Sequence, residues 1–113
     1  MHTPIDHATF RATWCSEPYE SCPLLVEYAK TNTKDMLALK SALLQTRTQE
    51  IGELAHRIGG AAQLMGATGI VDSARLLEDL AAGEDSAAIK HGVDTLCREI
   101  ELVHAYINAI QAQ

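Results

Sequence analysis

The residue best placed for chemistry is His56, on a segment from Thr48 to Met65 whose pattern predicts a helix. Ile51, Leu54, Ala55, Ile58, Ala62 and Met65 make one apolar stripe. At about 100° per residue, His56 lies roughly 160° from the centre of that stripe, so its imidazole is expected to face water. The side chains that flank a helical residue are those three and four positions away. For His56 these are Gly52, Glu53, Gly59 and Gly60, three of them glycine. Each glycine inside a helix costs ~1 kcal/mol relative to alanine, so the helix gives up ~3 kcal/mol around one exposed imidazole. Such clearance lets another molecule, or a bulky substituent on the ring, come close to the backbone. A histidine with a near-neutral pKa keeps a lone pair at physiological pH. His56 can therefore serve as a nucleophile toward a phosphoryl group, as a general base or as a metal ligand. It can also be a plain surface residue. Gln63 lies on the same face one turn past Gly60, as a hydrogen-bond donor or a solvated side chain. Arg57 is the nearest cation in sequence but points roughly 100° away around the helix.

Other chemistries find little support. His2, His7, His91 and His104 lack the Glu-x-x-His or His-Glu-x-x-His spacing that places metal ligands on one helix face. Cys15, Cys22 and Cys97 are odd in number and without C-x-x-C spacing, against a disulfide framework or a zinc knuckle. Cys22, Cys97, Met36 and Met65 read as packing residues. Neither G-x-x-x-x-G-K-[ST] nor G-x-G-x-x-G occurs, so ATP binding by this chain is not expected.

The elements that position His56 follow from the same periodicity. Thr3-Pro4 reads as an N-cap and first helical residue, opening a short helix over about Pro4 to Trp14, with Ser16 to Pro23 as a connection. Leu25, Tyr28, Asn32, Met36, Leu39 and Leu43 then mark a helix from about Pro23 to Leu44, with Thr33 a possible cap should Lys30 to Asp35 break it. Thr46-Arg47-Thr48-Gln49 has a capping-box pattern ahead of the His56 helix. Gly66 and Gly69 bracket a tight turn, and Ile70, Ala74, Leu77 and Ala81 carry the next stripe, ending at Gly83. Ile89, Val93, Leu96, Ile100, Val103, Ile107 and Ile110 mark a last helix from about Asp85 to Ile110. The expectation is an all-α fold, an antiparallel up-and-down four-helix bundle with a short extra N-terminal helix covering one end.

Composition bounds the rest. With 113 residues, 47% of them hydrophobic, the chain reads as a single domain over 1–113. Nine Lys plus Arg against 15 Asp plus Glu give a formal charge of −6 without any basic run, against a nucleic-acid or anionic-membrane surface. No apolar run reaches the roughly 18 residues of a membrane span, and the N-terminus lacks a signal-peptide pattern.

The run Ala55-His56-Arg57-Ile58-Gly59-Gly60-Ala61-Ala62-Gln63-Leu64-Met65-Gly66-Ala67, followed by Leu76-Leu77-Glu78, resembles the signature of histidine-containing phosphotransfer (HPt) domains of multistep phosphorelays. The family pattern is A-H-x-L-K-G, small residues, a G-A turn, and a leucine-glutamate pair one helix later. The resemblance implies that His56 is phosphorylated at Nε2, that Gly60 clears space for the partner, and that Gly66 ends the active-site helix. It implies that Glu78 orients the imidazole by a hydrogen bond to the other ring nitrogen. Gly52, Gly59, Gly60 and Arg57 fall on the implied docking face, with Gln63 a weaker candidate beside the ring. One departure is Gly59, where the family usually has a lysine. The implied partners are the receiver domain of a sensor kinase as donor and a response-regulator receiver as acceptor. Mg²⁺ is expected in the receiver and no cofactor in this domain. The isolated domain is expected to be monomeric and cytoplasmic, free-standing or as the C-terminal domain of an inner-membrane sensor kinase. The rival reading is a docking or dimerisation bundle without covalent chemistry.

Overall fold

The computed structural model describes residues 4–6 and 23–111, apart from the side chains of 110 and 111. Within these there are four helices and no strand: α1 (Pro23–Leu44), α2 (Thr48–Met65), α3 (Thr68–Ala81) and α4 (Ser86–Gln111). Each helix packs against two neighbours, in the cyclic order α1, α2, α3, α4. Their apolar stripes meet in one core, with Leu25, Leu39, Ile51, Ile58, Ile70, Leu77, Leu96, Ile100 and Ile107 at its centre.

Each turn has its own physical cause. Gly66 ends α2 with φ 73°, and the N–H groups of Gly66 and Ala67 donate to the carbonyls of Gln63 (3.3 Å) and Ala62 (2.9 Å). This is a Schellman ending, in which a left-handed residue recovers carbonyls that the helix leaves unpaired. A Cβ at Gly66 would also stand 2.9 Å from the carbonyl oxygen of Asp6, so the site is closed to other residues twice over. The Asp6 N–H donates to the Gly66 carbonyl at 2.7 Å, tying the N-terminal stretch to this end of the bundle. Asp85 starts α4 by accepting the Ala88 N–H at Oδ1, 3.0 Å away.

Four sequence expectations are corrected here. Pro4 and Ile5 form a bend, so no helix begins at Pro4 itself; the remainder of the expected Pro4–Trp14 helix and the connection before Pro23 lie outside the described residues. The capping box does not form. Thr46 instead adopts φ 53° and ends α1, with Thr46 and Arg47 N–H donating to the Leu43 and Ala42 carbonyls at 3.2 and 2.9 Å. Gly69 lies inside the first turn of α3, not in the turn before it. A Cβ there would stand 2.5 Å from Glu99 Oε2, so the glycine admits a carboxylate of α4 at a helix start, where the peptide dipoles favour negative charge. The buried stripe of α1 is Leu25, Tyr28, Asn32, Asp35, Leu39 and Ala42. Asp35 and Ala42 thus turn inward ahead of Met36 and Leu43, which are half-buried. Lys30 to Asp35 does not break the helix, and Thr33 Oγ1 donates back to the Ala29 carbonyl at 2.9 Å.

His104 on α4 has its Nε2 buried without a hydrogen-bond partner. Burial pushes its pKa below the ordinary 6.5, partly opposed by Glu101. The unfolded chain then takes up this proton before the folded one. Stability is therefore full above about pH 6.5 and declines as pH falls from there through the folded pKa. Denaturant midpoints followed from pH 7.5 to 5 are expected to show this decline, and His104→Gln is expected to flatten it.

Candidate functional site

Helices α2 and α3 lie side by side, and His56 stands over the seam between them. Its side chain is 79% exposed, and Nδ1 lies 3.1 Å from Oε2 of Glu78 on α3. An ionised carboxylate can only accept a hydrogen bond, so this contact suits the tautomer that carries its proton on Nδ1 and its lone pair on Nε2. The other faces of the two helices explain why the ring cannot sink: Ala55 and Ile58 of α2, and Ala74 and Leu77 of α3, are committed to the core.

Two depressions flank the His56–Glu78 contact. One, about 410 Å³, is walled by small groups, Gly52, Ala81 and Ala82, together with Glu53. The other, about 130 Å³, is lined by Gly59, Gly60, Gln63 and Arg75. The sequence-predicted residues His56, Glu78, Gln63, Gly52, Gly59 and Gly60 thus come together around one ring.

The three glycines, alike in sequence, differ in space. A Cβ at Gly60 would meet nothing within 4 Å. At Gly59 it would stand 3.2 Å from Ala74 Cβ, and at Gly52 it would touch Ala81 Cβ at 3.6 Å. Gly59 therefore sets the close approach of α2 to α3. A lysine there would press its Cβ on Ala74, which would have to give by a few tenths of an ångström, and this is a physical reason for the departure from the usual lysine. Of the three, Gly60 alone opens fully to solvent.

Arg57 does not face the ring. It donates to Asp35 on α1, a carboxylate whose side chain is 9% exposed. Arg57→Ala would leave that buried acceptor without its cation, and a loss of about 1–3 kcal/mol is expected in a urea titration. Phosphoryl chemistry at His56 is expected to be little changed by it.

Two residues escaped the sequence reading. Asp35 closed the polar stretch at which α1 was expected to be weakest; its partner lies 22 residues away on another helix. Arg75 was legible in principle, since it precedes Glu78 by three residues and so flanks it on the same helix. Among the described residues no group of three or more His, Cys, Asp and Glu could hold a metal ion. No described helix is long and apolar enough to cross a membrane.

The ring of four helices thus carries on one face an exposed histidine in contact with a carboxylate. The family model of the Hpt domain matches residues 23–113, four-fifths of the chain. No curated protein and no solved structure matches it. The chain belongs to the Hpt domain family, whose members carry out histidine phosphotransfer in phosphorelays and interact with receiver domains.

Proposed function

We propose that His56 is the phosphoryl carrier of this Hpt domain. It accepts the group at Nε2 from the aspartyl phosphate of a sensor-kinase receiver and passes it to the aspartate of a response-regulator receiver. The observation that carries this reading is the 3.1 Å contact between His56 Nδ1 and Glu78 Oε2, made by an imidazole that is 79% exposed. In the forward step the Nε2 lone pair forms the N–P bond while the aspartyl O–P bond breaks, its electron pair leaving with the carboxylate. Nδ1 keeps its proton, so the ring becomes cationic. Glu78 already faces that charge, a fixed countercharge in place before the reaction begins. Both the acyl phosphate and the phosphoramidate are high in energy, and transfer runs in either direction.

The receiver supplies Mg²⁺ and the groups that stabilise the in-line, loose transition state. This domain supplies the positioned nucleophile and a surface on which the receiver docks. The docking face is the exposed side of α2 around Gly60, continued by the depression at Gly52, Ala81 and Ala82. We read the bundle as antiparallel and up-and-down. In support, His56 opposes Glu78, while Gly59 opposes Ala74 and Gly52 opposes Ala81, so rising positions on α2 meet falling ones on α3. The domain acts as a monomer, in the cytoplasm.

Incubation with a phosphorylated receiver and mapping of the modified residue tests the function. An acid-labile, base-stable phosphate on His56 is the expected result. Its absence from every histidine would favour a docking or dimerisation bundle.

A further inference from the structure

Phosphorylation of His56 brings as much as two negative charges to a ring that already faces Glu78, with Glu53 also beside it. Among the residues lining the two depressions around His56, the single Lys or Arg is Arg75. It shares the smaller depression with His56, Gly59 and Gly60. Gly59, which lines the same depression, carries no side chain to fill it. Arg57, the other nearby cation, is held on the α1 side by Asp35. Among the described residues Arg75 makes no ion pair or hydrogen bond, so it needs to break none to reach a new anion. A guanidinium offers paired N–H donors that match phosphoryl oxygens.

We propose that Arg75 is the cation that contacts the phosphoryl group on His56, supplied from α3 where the chain has Gly59 and no cation on the facing position of α2. This rests on the reading of His56 as the carrier. The guanidinium binds the equatorial oxygens as the N–P bond forms and the aspartyl O–P bond breaks. It lowers the barrier in both directions and holds the phosphoryl group in its more ionised form.

The test uses the whole chain, phosphorylated either by a receiver domain or by phosphoramidate, a small donor that needs no docking surface. Arg75→Ala is expected to slow transfer from both donors about tenfold, the size of one charge-assisted hydrogen bond. A ³¹P NMR titration should show the second ionisation of the phosphoryl group moved upward in that variant, and Arg75→Lys should restore most of both effects. Thermal melting is expected to be unchanged, since Arg75 is exposed and unpaired. Slowing with the receiver but not with phosphoramidate, with an unmoved ³¹P titration, would overturn the proposal and make Arg75 a docking residue. Unchanged transfer and titration in Arg75→Ala would also overturn it while leaving His56 as carrier. A wild-type chain without phosphate on His56 would remove both readings together.

Discussion

Replacement of His56 by glutamine is expected to abolish phosphoryl uptake from a phosphorylated receiver while leaving the fold intact. Glutamine offers an amide whose nitrogen lone pair is delocalised into its carbonyl, so it has no nucleophile to present. The side chain is 79% exposed and its one polar partner, Glu78, is itself 40% exposed. Water takes over that contact, and the change in folding free energy should stay within about 0.5 kcal/mol. Radiolabel on the variant should fall to background while its helical circular dichroism and urea midpoint match the wild type. Label at the wild-type level would mean that another residue is the carrier. Loss of label together with a lowered midpoint would make the experiment report on folding, and the exposure of His56 argues against that outcome.

The second large effect is expected from Gly60→Gln, and its sign is opposite for stability and function. A Cβ at Gly60 meets nothing within 4 Å, and helix α2 continues for five residues beyond it. Adding a side chain there removes the conformational cost of glycine, so stability should rise by up to ~1 kcal/mol. The same side chain stands where a receiver must bring its aspartyl phosphate within reach of Nε2. A displacement of about 1 Å at that step can cost ~100-fold in rate. Transfer from a receiver should therefore fall steeply while phosphorylation by phosphoramidate continues. Equal slowing with both donors would place the defect at the ring and refute the docking role. Gly59→Gln makes a useful contrast, because its Cβ would press on Ala74 at 3.2 Å and stability should drop.

The contrast between Gly59 and Gly60 shows where sequence reasoning stops. Periodicity places both beside His56, since helical neighbours depend only on residue number. Whether the space beside each glycine is filled depends on where α3 runs. Arg57 and Asp35 make the same point with charge. One lies next to His56 in sequence, yet its partner is 22 positions away. Glu78 was legible only through the family pattern, because nothing local in α3 says that its carboxylate will face an imidazole on α2. The turn chemistry misled where two principles competed at one residue. Thr46 suits a helix start by side-chain type, but the backbone uses it in the left-handed region to end α1. Its hydroxyl bonds the adjacent Gln45 carbonyl at 2.7 Å.

By itself the sequence determined the four helices and the face of α2 that carries His56, because apolar spacing decides which side of a helix must leave water. It also placed the turn at Gly66, where a left-handed backbone with a carbonyl close by admits no side chain. Only the tertiary structure decided which glycine is open, which cation is engaged and that the Glu78 carboxylate meets the ring. Those are properties of the seams between helices, and each seam is set by the summed packing of residues distant in the chain.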